Sequence, residues 1–131
     1  MRWWFAALAL LLPMILSGCG SGQDAAVRDR AAAFQDAVAT QDWAGACALL
    51  APETRTELEA AAKLPCAEAI AEEKLPAPGR PDRVDVFGTM AEVRYQGETL
   101  FLTRFADEWL LHAAGCTPQR PKPYDCALHG G

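Results

Sequence analysis

Leu75-Pro76-Ala77-Pro78-Gly79-Arg80-Pro81, LPAPGRP, divides this chain. Three prolines and a glycine in seven residues fix the backbone and remove amide donors, so the stretch is neither helix nor central strand. On its N-terminal side apolar residues recur with the helical period. Val27, Ala31, Phe34 and Val38 predict a helix over 24–40, with Arg28, Asp29, Gln35 and Asp36 turned to water. Gln41-Asp42 breaks it, and Asp42 is placed to cap a second helix over 43–50, striped by Trp43, Cys47 and Leu50. Pro52 opens a third helix, with Glu53 near its positive end and Leu58, Ala61 and Ala62 inward. It stops near Leu64-Pro65, and a short fourth helix is expected over 66–74.

On the C-terminal side the period falls to two. Residues 83–87, 90–96 (MAEVRYQ), 99–105 (TLFLTRF) and 109–114 (WLLHAA) read as four strands. In the second, Ala91, Val93 and Tyr95 alternate with Glu92, Arg94 and Gln96, the pattern of a sheet buried on one face. Residues 96–98 and 106–108 are short enough to be hairpin turns. Residues 117–131 carry Pro118, Pro121 and Pro123 and are expected to lie outside the sheet as a tail pinned by a disulfide. Helices followed by antiparallel strands make an α+β fold, the N-terminal helices packed on a curved, cone-like antiparallel sheet of about four strands.

The first residues read as a secretory signal. Arg2 supplies a charge, residues 3–16 an apolar core, and Ser17-Gly18 small residues before Cys19. An apolar core of about 14 residues is short of the ~20 a membrane-spanning helix needs, and Pro13 interrupts it. Leu16-Ser17-Gly18-Cys19 resembles the lipobox of bacterial lipoproteins. That resemblance implies cleavage before Cys19 and a diacylglycerol on its thiol. The expected organisation is a signal peptide at 1–18, a flexible tether at 19–24, a domain at 25–116 and the tail at 117–131.

Five cysteines are an odd number for a secreted chain, and assigning Cys19 to the lipid leaves four. In an oxidising compartment these pair. Cys47 with Cys66 and Cys116 with Cys126 is the expected arrangement, because each pair is close in sequence and lies within one structural region. There is no CxxC, and His112 and His129 have no matching spacing to the cysteines, so no metal site is expected.

Removing 18 of the 131 residues leaves 113, enough for one small core. Arg2 is the only charge lost, which leaves 11 Lys+Arg against 17 Asp+Glu. Spread acidity of this kind disfavours nucleic acid and electrostatic binding to anionic lipid. Acyl chains then remain as the means of attachment.

The lipobox, residues 42–59 (DWAGACALLAPETRTELE), Cys66, and the ending formed by 109–118 (WLLHAAGCTP) and 123–126 (PYDC) resemble a family of actinobacterial lipoproteins of unknown function. That family is similar to the nuclear-transport-factor-2-like, or SnoaL-like, cone fold. Trp43 and the four paired cysteines carry the likeness. Enzymes of that fold, ketosteroid isomerase and SnoaL-like cyclases among them, hold acid/base residues in the cone's pocket. Tyr95 and His112 are the possible pocket residues here. An imidazole titrates near pH 6.5, at about the range a general base needs, but His112 reads as a half-exposed strand histidine beside Leu110 and Ala114. Tyr95 fits the core stripe and Asp107 a turn.

GxGxxG, GxSxG, the Walker loop and HExxH do not occur, and with no asparagine there is no N-glycosylation acceptor. No catalytic residue and no cofactor is assigned. The reading is a membrane-anchored extracytoplasmic lipoprotein, a non-catalytic module for a small apolar ligand or a neighbouring membrane protein. The alternative is a SnoaL-like small-molecule isomerase or cyclase that uses the cone pocket.

Overall fold

The computed structural model describes residues 21–131. Cys19, the signal peptide and the first part of the tether lie outside the described residues. Four helices precede five strands: α1 (Ser21–Ala39), α2 (Trp43–Ala48), α3 (Pro52–Ala62), α4 (Cys66–Glu72), β1 (Pro81–Phe87), β2 (Met90–Tyr95), β3 (Glu98–Phe105), β4 (Glu108–Gln119) and β5 (Lys122–His129). The strands form one antiparallel meander in the order β1-β2-β3-β4-β5. The α+β class holds, with a fifth strand beyond the four expected. Among the described residues no helix is long and apolar enough to cross a membrane.

Local chemistry sets the helix ends. Gln41 takes a positive φ of 57° after α1, and the Asp42 carboxylate accepts from the Gly45 amide at 3.0 Å to cap α2. A Cβ at Gly45 would stand 2.1 Å from Asp42 Oδ2, so the Asp42 carboxylate lies in the space that glycine leaves open and would have to shift for any other residue. Pro52 begins α3, where its missing donor costs nothing, and Lys63 closes it in the left-handed region with its amide on Glu59 O at 2.9 Å. Residues 21–24, expected as tether, are helical and belong to α1.

The core lies between the helices and one face of the sheet. Val27, Ala31 and Phe34 of α1 meet Ile70 of α4, Val93 of β2, Leu100 and Leu102 of β3, Leu111 of β4 and Leu128 of β5. Each large side chain so buried contributes about 1.5–3 kcal/mol of hydrophobic stabilisation. Cys47–Cys66 ties α2 to α4 across a separation of 19 residues, and Cys116–Cys126 joins β4 to β5 across 10.

Four expectations are corrected. The residues expected as a loose tail are the end of β4 and all of β5, with Leu128 in the core. Gln35, expected to face water, is buried, while Ala61, expected inward, is exposed. Glu98, expected in a turn, is the first residue of β3 and is buried. The edge of β4 that β5 does not reach is also covered. Leu111 donates to Leu49 O and accepts from Ala51 N, both at 2.8 Å, so the α2–α3 connection pairs with it as a short parallel bridge.

Candidate polar site beneath the first helix

Glu98 is the one buried carboxylate among the described residues, 5% exposed. The alternation of β3 places it on the helix side with Leu100 and Leu102, directly opposite Tyr95 of β2. Two donors meet it. Gln35 Nε2 on α1 donates to Oε1, and the Gly115 amide donates to Oε2 at 3.0 Å. Gly115 can aim that amide because it sits at a register irregularity in β4 with φ of 64°, a conformation glycine adopts without a Cβ penalty. A Cβ there would also press on the Ala127 side chain at 3.0 Å.

Burial raises the Glu98 pKa above the ordinary carboxylate value, and the bonds from Gln35 and Gly115 oppose that rise. Burial also raises the Tyr95 phenol, and the neighbouring Glu98 charge raises it further. Both carboxylate oxygens already accept protein donors, so the group ties α1, β3 and β4 together. As a proton acceptor it would first have to release one of these partners.

On the other face of the sheet, Arg94 Nε donates to Glu92 Oε1 at 2.8 Å, and the Tyr124 hydroxyl donates to the same oxygen at 3.2 Å. The Tyr124 ring stands edge-on to Phe101 with centroids 5.0 Å apart. Glu92 raises the Arg94 pKa, fixing its positive charge. An open cleft of about 470 Å³ lies here, bordered by Asp82, Arg94, Thr99, Pro118 and Tyr124 and reaching Tyr95 and Glu98 at the β2–β3 turn. Its mixed lining suits a small polar group better than a large apolar one.

The two residues proposed for a pocket are not brought together. Tyr95 is buried against the polar knot. His112 is half-buried in β4 beside Ala113, whose row across the sheet runs through Phe101 to Glu92, three residues from Tyr95. That separation is two strands and three residues, on the order of 14 Å. The His112 carbonyl accepts from the Thr54 hydroxyl at 2.8 Å and from the Gly130 amide at 3.0 Å, so this position fastens α3 and the end of β5 to the sheet. His129 is exposed. The Cys47–Cys66 and Cys116–Cys126 pairings stand as expected. No group of three or more potential metal ligands occurs among the described residues.

Sequence reasoning missed Gln35 and Glu98. Both carried a signal. Gln35 lies eight residues after Val27, a spacing that returns to the buried stripe of a helix, and Glu98 shares the parity of Leu100 and Leu102. Comparison of the chain with protein-family models, with curated proteins and with solved structures finds no match in any of the three.

Proposed function

We propose that this chain is an extracytoplasmic lipoprotein, held to the membrane by a diacylglycerol on Cys19, whose domain binds a small apolar ligand or a neighbouring membrane protein without catalysing a reaction. The observation that carries the reading is the pair of disulfides, Cys47–Cys66 and Cys116–Cys126, which together take up four of the five cysteines. Such staples suit an oxidising compartment, and they leave Cys19 as the cysteine the lipobox resemblance assigns to the lipid. Tethering raises the effective concentration of a membrane-bound partner, so a weak interface suffices. The cone-like closure of the sheet implied by the family resemblance belongs to this proposal.

The test is the intact mass of the protein taken from native membranes in mild detergent. Denatured, it should begin at an acylated Cys19 and gain four hydrogens on reduction. An unacylated chain would overturn the reading. Kept folded, the protein should carry either a small apolar molecule or a second protein. A second reading, a SnoaL-like isomerase or cyclase, is favoured by one observation: a buried phenol and a buried carboxyl adjoin at Tyr95 and Glu98. Co-purification of a polar small molecule whose retention is lost in Tyr95→Phe would support that alternative.

A further inference from the structure

The first described residues of α1 and an exposed apolar patch lie at the same end of the molecule. In a meander, β1 and β3 run toward the end from which β2 and β4 leave, so the turns after Phe87 and after Phe105 are neighbours. The opposite end carries the β2–β3 and β4–β5 turns. α1 spans the two ends. Gln35 sits at Glu98 on the far end, whereas near the start of α1 Gln23 accepts from Trp109 Nε1 at 3.2 Å, and Arg30 pairs with Glu108 at 3.2 Å. Trp109 and Glu108 open β4, directly after the β3–β4 turn. The N-terminal part of α1 around Gln23 is therefore at the end bearing Phe87 and Phe105. Cys19 stands four positions before Gln23 in the sequence, a span that chain length limits to about 14 Å.

At that end three large apolar side chains face solvent: Phe87 is 63% exposed, Phe105 40% and Met90 38%. Strand register puts all three on the sheet face away from the helices. Phe87 opposes Met90, Met90 opposes Thr103, and Phe105 shares the parity of Thr103. Residues 86–90 (VFGTM) carry no charge. In the β3–β4 turn each acid has a cation, Asp107 with Arg104 at 3.5 Å and Glu108 with Arg30 at 3.2 Å. Little fixed charge opposes entry of these turns into a bilayer interface.

The geometry points to a second membrane contact: the tips of the β1–β2 and β3–β4 hairpins, through Phe87, Met90 and Phe105, insert into the outer boundary of the bilayer that carries the Cys19 lipid. The inference rests on the anchoring reading above for its choice of occupant. Acyl chains alone leave the domain free to tumble. Apolar side chains at the anchored end hold it upright, with the β2–β3 turn and the cleft at Arg94 and Tyr124 turned away from the membrane.

The test places single tryptophans in the full chain as isolated from membranes and reconstituted into phosphatidylcholine vesicles brominated on the upper acyl carbons. Phe87→Trp and Phe105→Trp are compared with Gln96→Trp, an exposed position at the opposite end, after subtracting the parent protein's signal. Lipid contact predicts roughly twofold or more stronger quenching at 87 and 105 than at 96, because side chains at the acyl boundary meet bromine and those in water do not. Equal quenching at all three positions overturns the inference. A blue shift at 87 or 105 that grows with protein concentration without vesicles assigns the patch to a second copy and also overturns it. Intact mass keeps the two readings separate. If the chain is unacylated the anchor fails, and quenching measured on that chain with added vesicles still decides the hairpin contact.

Discussion

Glu98 concentrates the polar energetics of this domain in one side chain. Replacing it with alanine strands the Gly115 amide and the Gln35 amide in a buried site, a loss of about 1–3 kcal/mol for each unsatisfied group. Glu98→Gln is milder, because the Gln35 amide can turn to offer its oxygen to the new amide. Its pH signature is the sharper measurement. Burial raises the folded-state pKa of Glu98, so between the ordinary glutamate value of about 4.3 and that raised value the folded protein binds more protons than the unfolded chain. The contribution of Glu98 to stability is therefore greatest below the unfolded pKa. It falls as pH rises through that window and is flat above it. Thermal melts of parent and Glu98→Gln across pH 4–8 should show this fall in the parent and its absence in the variant. Parallel curves would mean that Glu98 titrates as it does in the unfolded chain. Gln35 and Glu98 show what a single sequence hides at this scale. Their spacing was legible, but their polarity pointed outward, and only the mutual satisfaction of two polar groups makes burial cheaper than hydration.

Among the elements, the helices and the first four strands were legible, the helices and β2 from apolar residues recurring at their own period and β3 and β4 from short apolar runs bounded by turn residues. The fifth strand was not. Pro118 and Pro123 argue against a strand wherever both backbone edges must pair. β5 is the last strand of the sheet, with one edge free, and Pro118 lies beyond Cys116, where β3 no longer pairs with β4. At such positions a missing donor faces no partner and proline is tolerated. The consequence is measurable at Leu128, which is 2% exposed and packs in the core with Leu111. If residues 117–131 were a pinned tail, Leu128→Ala would be almost silent. As a core residue of β5 it should cost about 2–5 kcal/mol in urea unfolding, with the slope of the transition little changed. Ala127→Ser, at an exposed position on the same strand, should stay within about 0.5 kcal/mol.

For the molecule as a whole, the disulfides carry a large share of the stability of a small core. A domain of this size has about 5–15 kcal/mol of net stability, and each bridge supplies about 3 kcal/mol in the chain-entropy model. Loss of one bridge should lower the melting temperature by roughly 10–15 °C. The two are not equally open to attack. Cys47 and Cys66 are both buried between α2 and α4, so a thiolate reaches them only when the helical half opens. Of the other pair Cys116 is buried but Cys126 is half-exposed on β5, an edge strand that can open locally. Mild reductant under native conditions should therefore produce first a species two hydrogens heavier, with Cys116 and Cys126 alkylatable and Cys47–Cys66 intact by peptide mapping. That species should keep a cooperative melt at reduced temperature. Cys47–Cys66 should open only at denaturant concentrations that unfold the whole chain. If Cys47–Cys66 were reduced first, or both bridges together, the helical half would be the less stable part, and the order in which this fold comes apart would run opposite to the burial of its cysteines.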